Sequence, residues 1–338
     1  MILGVDGPQS ESRFTTARCL TERDTEMGAE REKIMIDGKA VLGFLGNDVI
    51  ETFGEPSMQF SSAASARPGK LGGISFVTKK ALADDANIVI ESLSTVIISC
   101  ELGESPLDGV ENKFLIVVAN PRLSFAKTAS FFFKTGENGG RHSSATVHPS
   151  AAIGRNVTLG QNCVIGKDVV IGDNVVVGAG CVVAEKVSIG DNSRIGPNCV
   201  IGERGFGYER DQNKSPVHVP HFGGVIIGRN VSIGANTCID RGTLDDTIIG
   251  DNVKIDNQVQ IAHNCIVEDS VFIIAGVALG GGVRVRKGAW ISPNSTILQH
   301  LEVGEGAFVG IGAVVLSDVP PGHTVFGNPA RILDSKKS

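Results

Sequence analysis

The sequence predicts a mainly β protein, in which a parallel β-helix follows a small α/β domain. Two observations lead to this prediction. From Ile153 onward an aliphatic residue recurs at every sixth position and is usually followed by Gly. The composition is also rich in Gly and poor in aromatic residues, with 43 Gly, 15 Phe, one Trp and one Tyr in 338 residues. Stacked short strands suit this composition better than a sandwich with an aromatic core.

The six-residue repeat keeps its phase over nine steps, is interrupted, and then continues to Val315. Three steps make one triangular coil of eighteen residues, with the aliphatic side chains inside. Successive coils pair as parallel strands and rise by about 4.8 Å each. Gly and Asn after the strands supply the tight corners, because both tolerate left-handed backbone angles. The first nine aliphatic positions are Ile153, Leu159, Ile165, Ile171, Val177, Val183, Ile189, Ile195 and Ile201.

Two interruptions of the repeat are expected to leave the coil as external loops. The larger covers residues 203–224, after which the register resumes at Ile227. The smaller covers residues 241–246, where the register slips once between Ile239 and Ile249. Loops carried by a rigid scaffold commonly build functional sites.

Residues 34–140 lack the repeat and read as an α/β domain. Apolar runs predict strands at Ile74–Val77, Thr95–Ser99 and Phe114–Ala119. Asn120 followed by Pro121 predicts the N-cap and first turn of a helix that runs to about Phe133.

Four segments follow from these patterns. Residues 1–33 are charged and lack an apolar stretch, so we expect a leader that is not a secretory signal. Residues 34–140 form the α/β domain, which ends in a Gly-rich linker at 135–140. Residues 141–331 form the β-helix, and residues 332–338 form a tail.

Charge and hydropathy exclude several classes of protein. The net charge of −6 and the lack of a Lys/Arg cluster with interleaved aromatics argue against nucleic acid as a partner. The sequence contains no run of eighteen apolar residues, so it predicts no membrane-spanning helix. Seven cysteines include no Cys-x-x-Cys pair, while Cys163, Cys181 and Cys199 recur every eighteen residues. We interpret them as small core residues in a reducing compartment, the cytoplasm, and expect no metal site.

One polar-rich pair of repeats stands out at residues 254–264 and contains His263. His300 follows two coils and one residue later, which places both imidazoles along one edge, roughly 10 Å apart by the coil rise. Acyl transfer to an amine requires a base that works near neutral pH, and His supplies one. Asp256 is either the partner of His263 or a turn former.

The segment from Ile239 to Asn264 resembles the UDP-3-O-(3-hydroxyacyl)glucosamine N-acyltransferases of lipid A biosynthesis. The resemblance extends to Gly205-Phe206-Gly207-Tyr208 and to motifs in the α/β domain, and it covers most of residues 36–310. It implies a left-handed coil, a homotrimer with active sites between neighbouring prisms, and transfer of an acyl group from a thioester to the amine of a nucleotide-linked sugar. The matching motifs of the α/β domain are Pro68-Gly69, Ile74-Ser75-Phe76, Val117–Pro121 and Phe125-Ala126-Lys127.

By this resemblance His263 is the general base, and the backbone N–H of Gly281 forms the oxyanion hole. Asp256 and Asn257 are placed beside the base, where the sugar is held, and His300 matches a second family histidine. The resemblance implies no tightly bound cofactor, with acyl carrier protein or coenzyme A carrying the acyl group. The residues assigned to substrate binding are Phe76, Asn257, Gln260, His300, Phe206 and Tyr208.

Two departures from the family keep the substrates open. The family's uridine segment has Asn and Tyr where this chain has Lys79 and Leu82, although Phe76 is kept. The end of the chain, Val319–Arg331, resembles hexapeptide acetyltransferases that use coenzyme A. The alternatives are therefore the lipid A reaction, a coenzyme A-dependent N-acyltransferase of another nucleotide-linked amino sugar for surface polysaccharide, and a non-catalytic β-helix scaffold.

Overall fold

The computed structural model describes residues 35–101, 112–133 and 139–333. The chain divides into two compact units, one up to Thr135 and the other from Gly136 onward. The predicted leader, most of the predicted linker and most of the predicted tail lie outside the described residues.

The first unit is built on a five-stranded mixed sheet. Three central strands, Gly73–Val77, Val96–Ser99 and Phe114–Val118, run parallel to one another, which confirms the strands expected from the apolar runs. Val49–Gly54 adds an antiparallel edge strand, and Ser62–Ala63 pairs at the opposite edge. Ile36–Asp37 and Gln59–Phe60 form a separate antiparallel pair.

The described part of this unit has four α-helices and a 3-10 turn at Gly46–Asp48. The helices are α1 (Gly38–Leu45), α2 (Lys79–Asp84), α3 (Ile88–Glu91) and α4 (Pro121–Phe132). The predicted helix α4 is confirmed together with its cap, since the Asn120 side chain accepts a hydrogen bond from the N–H of Leu123 at 3.1 Å. Apolar side chains on the two faces of the sheet form two separate core clusters.

The second unit is a three-faced parallel β-helix. Within the described residues its first face has eleven strands, its second nine and its third eight. In the regular coils each strand pairs with the strand one coil away at an offset of eighteen residues, as Leu159 with Val177. The offset is longer across the two interruptions, where Ile189 pairs with Ile227 and Ile227 with Ile249. The first face contains Gly140–Arg141, Thr158–Leu159, Val176–Val177, Arg194–Ile195, Ser232–Ile233, Lys254–Ile255, Phe272–Ile273, Trp290–Ile291, Phe308–Val309, Thr324–Phe326 and the antiparallel Arg331–Ile332.

The other two faces follow the same pattern. The second face contains Thr146–Val147, Val164–Ile165, Val182–Val183, Val200–Glu203, Cys238–Asp240, Gln260–Ile261, Ala278–Leu279, Thr296–Ile297 and Val314–Val315. The third face contains Ala152–Ile153, Val170–Ile171, Val187–Ile189, Val225–Ile227, Thr247–Ile249, Ile266–Val267, Arg284–Val285 and Glu302–Val303. The larger interruption carries a hairpin of Tyr208–Arg210 and Pro216–His218.

The core of the coil is the column of repeat residues that the sequence predicted. These aliphatic side chains are buried from Leu159 to Val315. The prediction was wrong for Ile153, which is 39% exposed in the first coil. Cys163, Cys181 and Cys199 also point inside, where each thiol donates to a backbone carbonyl, so the interpretation of these three as core residues is confirmed. Most corners contain one residue of positive φ, usually Asn or Gly.

Candidate functional site

One edge of the prism, between the second and third faces, collects most of the unusual residues. Each interruption of the repeat leaves the coil here as a loop that we call an excursion. The larger excursion leaves the second face after Glu203 and returns at Val225 on the third face. The smaller runs between Asp240 and Thr247 at the same edge. His263 and His300 occupy corners of this edge in later coils. We call the edge between the second and third faces the site edge.

The two excursions hold each other in place. Phe222 N–H donates to the carbonyl of Thr243 at 2.6 Å, and Gly224 N–H donates to the Asp246 carboxylate at 2.6 Å. Beneath them the buried guanidinium of Arg241 donates to Gly202 O at 2.6 Å and to the Glu185 carboxylate at 2.9 Å. A buried cation that is paired and hydrogen-bonded in this way anchors the base of both loops.

The imidazole of His263 is oriented by the residue that follows it. Its Nδ1 lies 3.0 Å from Oδ1 of Asn264. That oxygen also accepts from the N–H of Thr243 at 3.1 Å and from its hydroxyl at 2.9 Å, which identifies it as the acceptor. In neutral His263 the proton therefore sits on Nδ1, and Nε2 keeps a lone pair that can accept a proton.

Two glycines leave room for this ring. A Cβ atom on Gly281 would lie 2.8 Å from Cε1 and 2.9 Å from Nε2 of His263, and one on Gly205 would lie 2.9 Å from Cδ2. The corner position of Gly281 accepts larger residues in other coils, such as Ala235 and Lys287, so Gly is needed here for space. Within the described residues no hydrogen bond uses the Gly281 N–H, which is therefore available beside Nε2.

A cavity of about 480 Å³ opens at the site edge, with both histidines in its wall. Carboxylates lie in one part of the wall, while Arg284 and His300 supply potential cations in another. His300 has a φ of 62°, in a corner position that Asn or Gly usually fills, and strain of this kind is often kept for function. The lining residues are Thr243, Asp245, Asp246, His263, Asn264, Ile266, Gly282, Arg284 and His300.

A carboxylate that the site assignment from sequence left out lies close enough to His263 to interact with it. Burial raises the pKa of Asp240, while the amide of Gln260, which donates to it at 3.0 Å, and the positive charge of His263 oppose this rise. Glu203, a neighbouring carboxylate in the adjacent coil, raises the pKa further. The amide of Gln260 thus binds the Asp240 carboxylate. The substrate contact expected of Gln260 stays a prediction.

Asp256 and Asn257 lie at another edge, between the first and second faces. The Asp256 carboxylate accepts from the backbone and side-chain N–H groups of Asn257, both at 2.8 Å. Asn257 in turn accepts from Ala235 N–H at 2.7 Å. No hydrogen bond joins Asp256 to His263 within the described part of this chain, where Asn264 takes that place.

The Gly205–Tyr208 segment covers His263 with a series of aromatic rings. Phe206 is 85% exposed, and its ring centroid lies 5.0 Å from that of Tyr208, which is 5.2 Å from that of His218. His218 stacks on His221 at 5.9 Å, and His221 contacts His263 edge to face at 5.2 Å. Sequence reasoning missed His221, whose only signal was its position in the larger excursion.

Phe76 lies in the first unit, where it packs against Phe125 of α4 with ring centroids 4.9 Å apart. A cavity of about 450 Å³ opens in this unit near the carboxyl ends of Val96–Ser99 and Phe114–Val118. Cavities at such strand ends are common ligand sites in α/β domains. The lining residues are Ile50, Lys79, Cys100, Glu101, Val118 and Ala119.

Among the described residues, no group of three or more His, Cys, Asp or Glu side chains is arranged to hold a metal ion. No helix in the described part of the chain has the length and apolar character needed to cross a membrane.

Comparison with family models identifies the repeats. Residues 168–203 match the model described as bacterial transferase hexapeptide (six repeats), and residues 224–262 match the hexapeptide repeat of succinyl-transferase.

Curated relatives include UDP-3-O-acylglucosamine N-acyltransferases. The protein of Caulobacter sp. (strain K31) is 39% identical over 117 residues, 35% of this chain and 34% of the relative. The protein of Rhizobium meliloti (strain 1021) is 38% identical over 127 residues, 38% of this chain and 36% of the relative. The chain thus spans about a third of the length of the curated relatives it matches.

Solved structures extend the similarity. A UDP-N-acetylglucosamine acyltransferase from Campylobacter jejuni aligns with a TM-score of 0.52 and 28% identity, over 57% of this chain and 74% of that chain. Its counterpart from Francisella novicida gives a TM-score of 0.53 and 32% identity, over 57% and 70%. These neighbours are left-handed β-helices, which confirms the predicted fold. The chain therefore carries the hexapeptide repeats of bacterial transferases and is similar over part of its length to UDP-3-O-acylglucosamine N-acyltransferases.

Proposed function

We propose that this protein transfers an acyl group from a thioester to the amine of a nucleotide-linked amino sugar, most like a UDP-3-O-(3-hydroxyacyl)glucosamine N-acyltransferase. One observation carries the proposal. His263 keeps Nε2 free while Nδ1 is held by Asn264, and the free nitrogen lies beside the unpaired N–H of Gly281 at the wall of a cavity. A base and an oxyanion donor side by side are the two groups that aminolysis of a thioester needs.

The reaction follows from this arrangement. The neutral amine attacks the thioester carbonyl carbon, and the N–H of Gly281 receives the oxygen that becomes negative. His263 Nε2 takes a proton from the attacking nitrogen as the C–N bond forms. The tetrahedral intermediate then expels sulfur, and the proton on His263 passes to the leaving thiolate. The products are an amide and a free thiol.

Charges in the cavity wall support an acceptor that carries both an amine and phosphates. Asp245 and Asp246 lie on the side where an ammonium would be attracted before it loses its proton. Arg284 and His300 suit the diphosphate of a nucleotide-linked sugar. Within the described residues no ion pair uses Arg284, so its charge is free for a ligand.

Apolar residues above the base support an acyl donor. Leu298 and Leu316 are about half exposed and stack on the same edge, in the coils above Ala262 and Gly280. An exposed apolar column along a site favours a hydrocarbon chain. Acyl carrier protein and acyl-coenzyme A both remain candidates for the donor.

A homotrimer belongs to the same proposal. Asp256 and Asn257 lie at a different edge from His263, so a site that includes all three needs residues from two chains. We propose that a neighbouring copy supplies Asp256 and Asn257 opposite His263. The edges that carry these residues would then face each other between prisms. A cytoplasmic location is also part of the proposal.

A second candidate is a coenzyme A-dependent N-acyltransferase of another nucleotide-linked amino sugar. Lys79, in place of the family's Asn, lines the cavity of the first unit, which we propose as the nucleotide pocket. An ammonium in that wall favours a base or phosphate contact other than the one that Asn makes with uridine nucleotides in the family.

Two measurements test these proposals. His263→Ala should reduce turnover by about 10² or more, as loss of a general base does, while the trimer stays intact. Lys287→Ala, at the same corner position in another coil, is the matched control. Turnover that persists in His263→Ala would favour a different base, and no turnover by the unmodified protein would favour the scaffold. Thermal stabilisation by acyl-coenzyme A or acyl carrier protein, each with UDP- and dTDP-linked amino sugars, separates the substrates by mass action.

A further inference from the structure

His221 is a second imidazole at the site edge, and its environment is unusual. The residue is 7% exposed, and its Nδ1 lies 2.9 Å from the carbonyl oxygen of Val219. Because a carbonyl only accepts, Nδ1 carries the proton and Nε2 keeps the lone pair. That Nε2 is buried and has no hydrogen-bond partner among the residues that the structure describes. A buried polar atom without a partner destabilises the fold and therefore calls for an explanation.

The unpartnered nitrogen lies close to the proposed base. A Cβ atom on Gly205 would lie 3.2 Å from Nε2 of His221 and 2.9 Å from Cδ2 of His263, so these two atoms line the same gap. The ring centroids are 5.2 Å apart with planes at 80°. A Cβ atom on Gly207 would come within 2.7 Å of Cε1 of His221, so the loop closes over the pair.

The charges around His221 favour its neutral form. Burial lowers the pKa of His221 most, and the positive charges of His263, His218 and Arg241 lower it further, while the bond to Val219 opposes them. The carboxylate of Asp240 interacts with the charge of His263, and Glu203 interacts with Asp240. His221 therefore meets the base as a neutral ring with a fixed dipole.

We infer that His221 is a positioning residue for His263. Its Nδ1–H is fixed on the carbonyl of Val219, so the negative end of its dipole, at Nε2, is directed toward the base. This dipole stabilises the imidazolium that forms when His263 takes the proton of the amine. The inference rests on the proposed function, because it concerns the proton transfer of that reaction. A preorganised dipole acts on the charge that develops during the reaction and needs no rearrangement to do so. It leaves binding of the uncharged ground state largely unaltered.

Three variants test the inference through the separation of kcat from KM. His221→Phe keeps a ring in contact with His263 but removes the lone pair, so kcat should fall about three- to tenfold with little change in KM. His221→Gln can donate to Val219 and present an oxygen toward His263, so it should recover most of the lost rate. His218→Phe, which replaces the next ring outward, should leave kcat within about twofold. An unchanged kcat in His221→Phe, or a change confined to KM, would overturn the inference.

A measurement without substrate keeps this test separate from the proposed function. In ¹⁵N-labelled protein the ring shifts of His221 should report more of the neutral Nδ1–H form than an ordinary imidazole shows at its midpoint of about pH 6.5, because burial lowers the pKa of His221. His263→Phe, which keeps a ring but removes a positive charge, should raise the titration midpoint of His221. An identical titration in both proteins would refute the contact between the two imidazoles. If the midpoint rises but His263→Phe still turns over substrate, the pairing stands and the proposed function fails.

Discussion

Gly281→Ala tests the geometry of the proposed base more directly than removal of the base itself. The added methyl would lie 2.8 Å from Cε1 and 2.9 Å from Nε2 of His263. Because carbon contacts are repulsive below about 3.4 Å, the ring has to retreat by roughly 0.5 Å. Gly205 blocks one direction and the bond from Nδ1 to Asn264 restrains another. The backbone itself accommodates Ala, since Ala235 occupies the same corner position elsewhere.

The expected result is a loss of activity without a comparable loss of stability. A displacement of about 1 Å can cost 10²-fold in rate, so kcat should fall about 10- to 100-fold. The free energy of unfolding should change by less than about 1 kcal/mol, because the strained contact is with the end of one side chain. Steady-state kinetics with a thioester donor measures the first, and urea unfolding measures the second. The N–H of residue 281 survives in this variant, so the loss reports on the base.

A double-mutant cycle provides the decisive control. Once His263→Ala has removed the ring, Gly281→Ala should cause no further loss, because the two changes act on one group. Losses that simply multiply, or a kcat for Gly281→Ala within twofold of the unmodified protein, would refute the reasoning.

Three further predictions follow from other contacts. Glycine adopts the positive φ of residue 264 without strain, and Asn264→Gly removes the acceptor of the His263 Nδ1–H. The value of kcat/KM should fall about tenfold or more. An unchanged kcat/KM would show that the Asn264 amide does not orient the His263 ring. Ile273→Ala removes a fully buried side chain and should lower the free energy of unfolding by about 2–5 kcal/mol, against less than about 1 kcal/mol for the partly exposed Ile226→Ala, as urea denaturation would measure. Burial raises the pKa of Asp240, so the ionised carboxylate destabilises the folded state at pH values above the folded pKa. This destabilisation disappears as the pH falls below the pKa of the unfolded state, so Asp240→Asn should raise Tm at pH 8 and raise it less at pH 4. Equal gains in Tm at both pH values would contradict burial as the cause.

The coil could be predicted from sequence because its structure is local and periodic. The aliphatic residue at every sixth position points inward, so the position of Ile261 or Ile273 in the core follows from counting. The helix α4 was equally readable, since Asn120 and Pro121 mark its start by local chemistry. The antiparallel edge strand Val49–Gly54 has no comparable local signal, because tertiary packing decides such elements. The short helix α1 was not predicted, although Asp37 caps its start and Gly46 follows its end.

Counting residues is enough to set the register of the repeats and the edge on which His263 lies, because in an uninterrupted coil eighteen residues return the chain to the same corner. Which groups contact that imidazole depends on packing between distant parts of the chain. Periodicity does not extend into the excursions, so it gave no means of bringing His221 against a ring forty-two residues away or of placing Thr243 on Asn264. Asp256 is close in sequence yet lies at another edge, because each strand and corner turns the chain onto a new face of the prism.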